Sequence, residues 1–145
     1  MKSSSGFTLL ELMLSMALIT MLAVGSIPVY ETFVRRNDLD LTTQNVVAGL
    51  RRAQTYARAS KGDSAWGVNV QSGTATLFKG TNFATRDATQ DETIDIPDTV
   101  TPGGLGEIQF TAFSSAPNTT GNITLTSTTN DTRTITVNAK GMVSY

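Results

Sequence analysis

The sequence contains neither cysteine nor histidine. Without cysteine there are no disulfides, no thiolate catalysis and no Cys-ligated zinc or iron–sulfur site. Without histidine the usual general base and the Ser-His-Asp relay are missing. Carboxylate-only catalysis or a Ser-Lys pair remains chemically open, but no spacing proposes one. The expectation is therefore a non-enzyme with no cofactor and no metal. Charge is also absent over one long stretch. From Phe7 to Tyr30 the only ionic side chain is Glu11.

What is present is unevenly distributed. At 145 residues the chain has room for one domain plus an appendage. Residues 1–61 carry seven Lys/Arg and four Asp/Glu (+3), and residues 62–145 carry four and eight (−4), for a net charge of −1. An acidic C-terminal body lacks the basic face expected of a nucleic-acid clamp. As a helix, residues 7–30 would rise roughly 36 Å, enough to cross a bilayer core of about 30 Å. An ordinary secretory signal has a shorter apolar stretch of about 7–15 residues followed by a small-residue cleavage site. A plain membrane anchor fits the length but leaves Glu11 without a purpose. A carboxylate in hydrocarbon costs roughly 2.5–3.5 kcal/mol on insertion scales and calls for a partner.

A third reading supplies one. Gly6-Phe7-Thr8-Leu9-Leu10-Glu11, behind a short leader with Lys2 and ahead of an apolar helix, resembles the processing site of type IV prepilins. The resemblance implies cleavage between Gly6 and Phe7, N-methylation of Phe7, and a role for Glu11, fifth after the cut, in assembly and axial register. The physics is separable from the resemblance. Cleavage would expose an α-amino group at Phe7, with a reference pKa near 7.7–8.0 and so largely cationic at neutral pH. Pairing that cation with the Glu11 carboxylate of a neighbouring subunit would offset the desolvation of both. A buried polar group of this kind fixes register, as a buried Asn does in coiled coils.

Beyond Tyr30 the pattern turns amphipathic. Thr43, Val46, Val47, Leu50, Ala53, Gln54 and Ala57 recur at helical spacing, with Arg51, Arg52 and Arg58 elsewhere. One helix is expected from about Phe7 to Ala59, stopping near Gly62, with a kink at Gly25 and Pro28. Short β segments follow. Residues 65–70 and 74–79 flank Gln71-Ser72-Gly73 as a hairpin, and residues 107–111 form another strand. In residues 123–128 and 133–138 strict alternation turns Ile123, Leu125, Ile135 and Val137 inward. The expected fold is α+β: a long N-terminal helix, membrane-spanning first and amphipathic second, packed on a small antiparallel β-sheet head. Its parts are a leader (1–6), an apolar transmembrane and assembly helix (7–30), an amphipathic helix (31–61) and the head (62–145).

The Trp66-Gly67-Val68 strand, the Thr76-Leu77-Phe78-Lys79 strand and the closing Ile123 … Val137 … Gly141 pattern are similar to H-type pseudopilins of type II secretion and FimT/FimU-like minor pilins. That resemblance implies a structural subunit, minor in kind, of a type IV pilus or a type II secretion pseudopilus. The partners it implies are other pilin or pseudopilin subunits, a prepilin peptidase, an inner-membrane platform protein and an assembly ATPase. It also implies single-pass anchoring in the inner membrane with the head extracytoplasmic, before entry into the filament. The alternative is a DNA-binding minor pilin of a natural-transformation system. Lys79, Arg86, Arg133 and Lys140 against eight acids in the head weigh against it. Among the remaining candidates, Asp87, Asp91, Glu92, Asp95 and Asp98 read as a solvated acidic loop without an EF-hand pattern. Trp66 reads as core, and Arg35 and Arg36 as headgroup contacts just outside a membrane.

Overall fold

The computed structural model describes residues 6–145, with the side chains of 25–29 left out. Helix α1 spans Leu9–Arg58 and is followed by eight strands. They are β1 (Trp66–Gln71), β2 (Thr74–Lys79), β3 (Asp87–Asp95), β4 (Val100–Gly104), β5 (Glu107–Phe110), β6 (Gly121–Ser127), β7 (Thr132–Val137) and β8 (Val143–Ser144). The chain divides into two compact units, Met1–Val34 and Arg35–Tyr145. The first is helical from Leu9 onward. The second holds the rest of α1 and every strand.

Within the second unit the strands form two four-stranded sheets, ordered β3-β2-β1-β5 and β4-β6-β7-β8. All pairings are antiparallel. The sequence led to the expectation of one small sheet, and the head has two. Helix and sheets share one core. Leu39, Val46, Val47, Leu50, Ala53 and Ala57 of α1 are buried with Val68, Leu77 and Ile108 of one sheet and Ile123, Leu125, Ile135 and Val137 of the other. The helical stripe read from the sequence is the buried one, extended N-terminally by Leu39 and Thr42.

The hairpin between β1 and β2 closes where expected, with Gln71 opposite Thr74 and Gly73 in the left-handed region at φ 85°. Strand β1 is buried on both faces. Val68 and Val70 join the core, while Gly67 lies against Phe78 of β2, whose ring meets Phe83 edge-on at 5.6 Å. Trp66 is core as expected: its Nε1–H donates to the Lys61 carbonyl at 2.9 Å, and its ring meets Tyr56 edge-on at 4.9 Å.

Three expectations are corrected, and one strand was not anticipated. The acidic segment is strand β3 through Asp95, not a loop; it pairs with β2 and has mostly exposed side chains, so its sequence shows no apolar alternation. The unanticipated strand is β4, which holds Pro102, Gly103 and Gly104, residues tolerated on an outermost strand. The helix is ended by Ser60, not Gly62. Ser60 turns left-handed at φ 47°, with Lys61 N–H donating to Tyr56 O and Ser60 N–H to Ala57 O, the double bond of a Schellman cap. Finally, Arg35 and Arg36 bind the head itself, through Arg35 Nη1 to Thr128 Oγ1 at 2.6 Å and Arg36 Nε to Asp131 Oδ2 at 3.2 Å.

Candidate functional site

The site begins at residues 6–8, which precede the helix and have no regular secondary structure. Gly6 is exposed, with nothing within 4 Å of the position a Cβ would take, and Phe7 is 82% exposed. The Gly6–Phe7 peptide thus lies in open chain that a peptidase could engage without unwinding a helix. Thr8 starts the helix. Its Oγ1 accepts from the Glu11 amide at 3.3 Å and its carbonyl from Leu12 N–H at 3.1 Å, which satisfies one donor of the first turn. Glu11 occupies the third helical position, where a carboxylate complements the positive end of the helix dipole. The Thr-x-x-Glu spacing is a helix-start signature legible in the sequence, and it marks Thr8 as a cap that the sequence analysis missed.

From Leu9 to Val24 every side chain is exposed. The large apolar ones include Leu9, Leu10, Met13, Leu14, Leu18 and Leu22, and they face in all directions around the helix. The two hydroxyls on this stretch are turned back onto the helix. Ser15 Oγ donates to Leu12 O at 2.9 Å and Thr20 Oγ1 to Met16 O at 2.8 Å. Their polarity is absorbed locally. The Glu11 carboxylate has no hydrogen bond or ion pair among the described residues, so it is the one polar group of the stretch that looks outward for a partner. A helix apolar all round belongs in a membrane or inside an assembly. Leu9–Val24 rises about 24 Å, short of a bilayer core of about 30 Å. Among the described residues no helix is long and apolar enough to cross a membrane. Gly25 and Pro28, the expected kink, fall among the side chains outside the description.

In the second unit, three ion pairs join Arg36–Asp131 among the described residues. Arg133 Nε bonds Asp40 Oδ1 at 2.9 Å, Arg86 Nε bonds Asp91 Oδ2 at 2.7 Å, and Arg52 pairs with Glu92. The Asp87 carboxyl is held below its ordinary value by the Thr89 hydroxyl, with the Thr89 amide and nearby Lys79 adding to the effect. Its anionic form is therefore favoured by folding above the ordinary carboxyl range, an advantage lost as pH falls through the depressed value. No three His, Cys, Asp or Glu side chains converge on a metal-sized site among the described residues.

Residues 1–27 match the family described as the prokaryotic N-terminal methylation motif. No solved structure matches the chain. The match covers Gly6, Phe7 and Glu11 together with the start of the outward-facing apolar helix, and it supports an N-terminus like that of type IV prepilins, a motif that implies processing by a prepilin peptidase and assembly with other pilins.

Proposed function

We propose that the protein is a non-catalytic structural subunit of a type IV pilus or a type II secretion pseudopilus. A prepilin peptidase cuts between Gly6 and Phe7, and Phe7 is then N-methylated. Before assembly, residues 7–30 anchor the chain in the inner membrane with the head outside the cytoplasm. An assembly ATPase and an inner-membrane platform protein then drive the helix into the filament. The observation that carries this reading is the exposed apolar surface of Leu9–Val24, interrupted by a single carboxylate at Glu11, beneath the methylation motif.

The role of Glu11 follows from energetics. Its carboxylate enters an apolar surrounding whether the helix sits in lipid or among other helices, at roughly 2.5–3.5 kcal/mol if unpaired in hydrocarbon. The Phe7 α-ammonium of a neighbouring subunit neutralises it only when the two helices are correctly staggered. Glu11→Gln removes the charge and keeps the shape. Membrane insertion should be unchanged, whereas incorporation into filaments should fall by about tenfold or more, corresponding to the loss of ~1.4 kcal/mol or more. Mass spectrometry of filaments sheared from cells should find a subunit beginning at methylated Phe7. A mature chain still beginning at Met1, or filaments assembled normally with Glu11→Gln, would refute the reading.

A further inference from the structure

The loop after β5 presents an aromatic ring at a backbone position that disfavours one. Phe113 has φ 65° and is 74% exposed, and Ser115, two residues on, has φ 52°. Bulky side chains seldom occupy the left-handed region, and such strain persists only where surrounding bonds impose it. They do so here. Phe113 N–H donates to Ala57 O at 3.0 Å, Ser115 N–H to Thr111 O at 2.9 Å, and Thr111 N–H to Ala116 O at 2.9 Å. The ring is held outward on a rigid base near the end of α1, which suits an interface anchor.

The segments that meet at this end of the unit carry basic residues. The turn around Gly141 packs against the Ser115 carbonyl and Gln54, bringing exposed Met142 and Lys140 to the same end of the unit. Arg51 reaches Val143 O at 3.5 Å, and Arg58 adjoins Ala57 on the helix. No acid occurs in the three segments 50–58, 111–116 and 138–145 that build this patch. The opposite side of the same sheet has the opposite charge. The sheet runs β3-β2-β1-β5, so the Phe113 loop follows one outermost strand while β3 is the other. Strand β3 and the residues after it expose Asp87, Asp95 and Asp98.

We propose that the Phe113 loop is the surface by which the head of one copy of this chain docks on the acidic β3 edge of the next copy. The two surfaces differ and lie at opposite edges of one sheet. The contact is therefore heterologous and repeats along a filament, in contrast to a two-fold contact that closes on itself. Phe113 supplies the apolar anchor, and Arg58 and Lys140 against Asp87 and Asp95 supply orientation. The proposal rests on the filament reading above and adds the partner surface of the head.

The cysteine-free chain makes the test direct. Ser114→Cys and Gln90→Cys are introduced together into the full-length protein, and sheared filaments are treated with a short bifunctional thiol reagent. A ladder of covalent multimers is expected with the double variant, and dimers only when the two single variants are mixed. Replacing Asp87 and Asp95 by Lys should cut the ladder by about fivefold or more, and adding Arg58→Glu and Lys140→Glu should restore it. Phe113→Gly relieves the backbone strain, so it should raise the melting temperature yet lose most of the ladder, an outcome that a purely structural Phe113 would not give. Leu14→Cys on the helix is the control. If Leu14→Cys crosslinks within filaments and the Ser114/Gln90 pair does not, the docking surface is wrong while the filament stands. If no filaments contain the chain, both fall. Ladders that disappear on nuclease treatment would assign the basic patch to nucleic acid and overturn the proposal.

Discussion

At the scale of single residues, this chain repeatedly places an ordinary side chain where backbone geometry favours glycine. Ser60 is the clearest case. It caps α1 in the left-handed region at φ 47°, and its Oγ is buried without a hydrogen-bond partner among the described residues. The left-handed conformation costs roughly 1–2 kcal/mol for a residue with a Cβ, and an orphaned buried hydroxyl adds about 1 kcal/mol or more. Glycine removes both terms but is freer in the unfolded chain by about 0.5–1 kcal/mol. Ser60→Gly should therefore stabilise the second unit by about 1 kcal/mol, raising the melting temperature by roughly 3–6 °C in a thermal scan. A lower melting temperature would mean that the hydroxyl has a partner in solution. The Gly62 stop expected from the sequence was misplaced for the same reason. Glycine is the usual signal for a left-handed cap, and here serine does the work two residues earlier.

Among the elements, legibility followed side-chain burial. Strands β6 and β7 were visible because Ile123, Leu125, Ile135 and Val137 face one core and alternate with outward residues. The α1 stripe from Thr43 to Ala57 was visible at helical spacing. Strand β3 was not, because in Asp-Ala-Thr-Gln-Asp-Glu-Thr-Ile-Asp only Ile94 packs against the core, and the strand is joined to β2 by a backbone ladder that leaves no trace in composition. Its acids have a use that sequence periodicity cannot show: like charges along an outermost strand discourage one β3 edge from pairing with another. Strand β1 has a different vulnerability. A Cβ at Gly67 would lie 2.6 Å from Phe78 Cζ and 2.8 Å from the Ile108 carbonyl oxygen. One obstacle is a side chain and the other is backbone of the neighbouring strand β5. Gly67→Ala should thus cost about 1–3 kcal/mol, as overpacking does. Adding Phe78→Leu should recover only part of the loss in urea unfolding, because the carbonyl remains. Full recovery would show that β5 yields easily and that the β1–β5 pairing is softer than its register suggests.

For the whole molecule, the decisive fact is how buried and exposed apolar side chains are divided along the sequence. The first buried side chain among the described residues is Leu39, and the shared core runs from there to Val143. Leu9–Val24 contributes no buried side chain to that core. The candidate site was legible because its signal is local in sequence: a charge offset, Gly before Phe, and an unbroken apolar run. The Phe113 patch was not, since it joins three segments that only the fold brings together. This division leads to a measurable expectation. A chain beginning at Arg35 keeps the core, the capping hydrogen bonds at Ser60 and the Arg36–Asp131 and Arg133–Asp40 pairs. It should be soluble without detergent and unfold in one cooperative transition, monitored by circular dichroism. The full-length chain exposes apolar surface far beyond the few hundred Å² usual for a soluble monomer and should need detergent or a membrane. Absence of a cooperative transition in the shortened chain would mean that the N-terminal unit stabilises the head, and that one helix could not be given over to assembly while the rest folds without it.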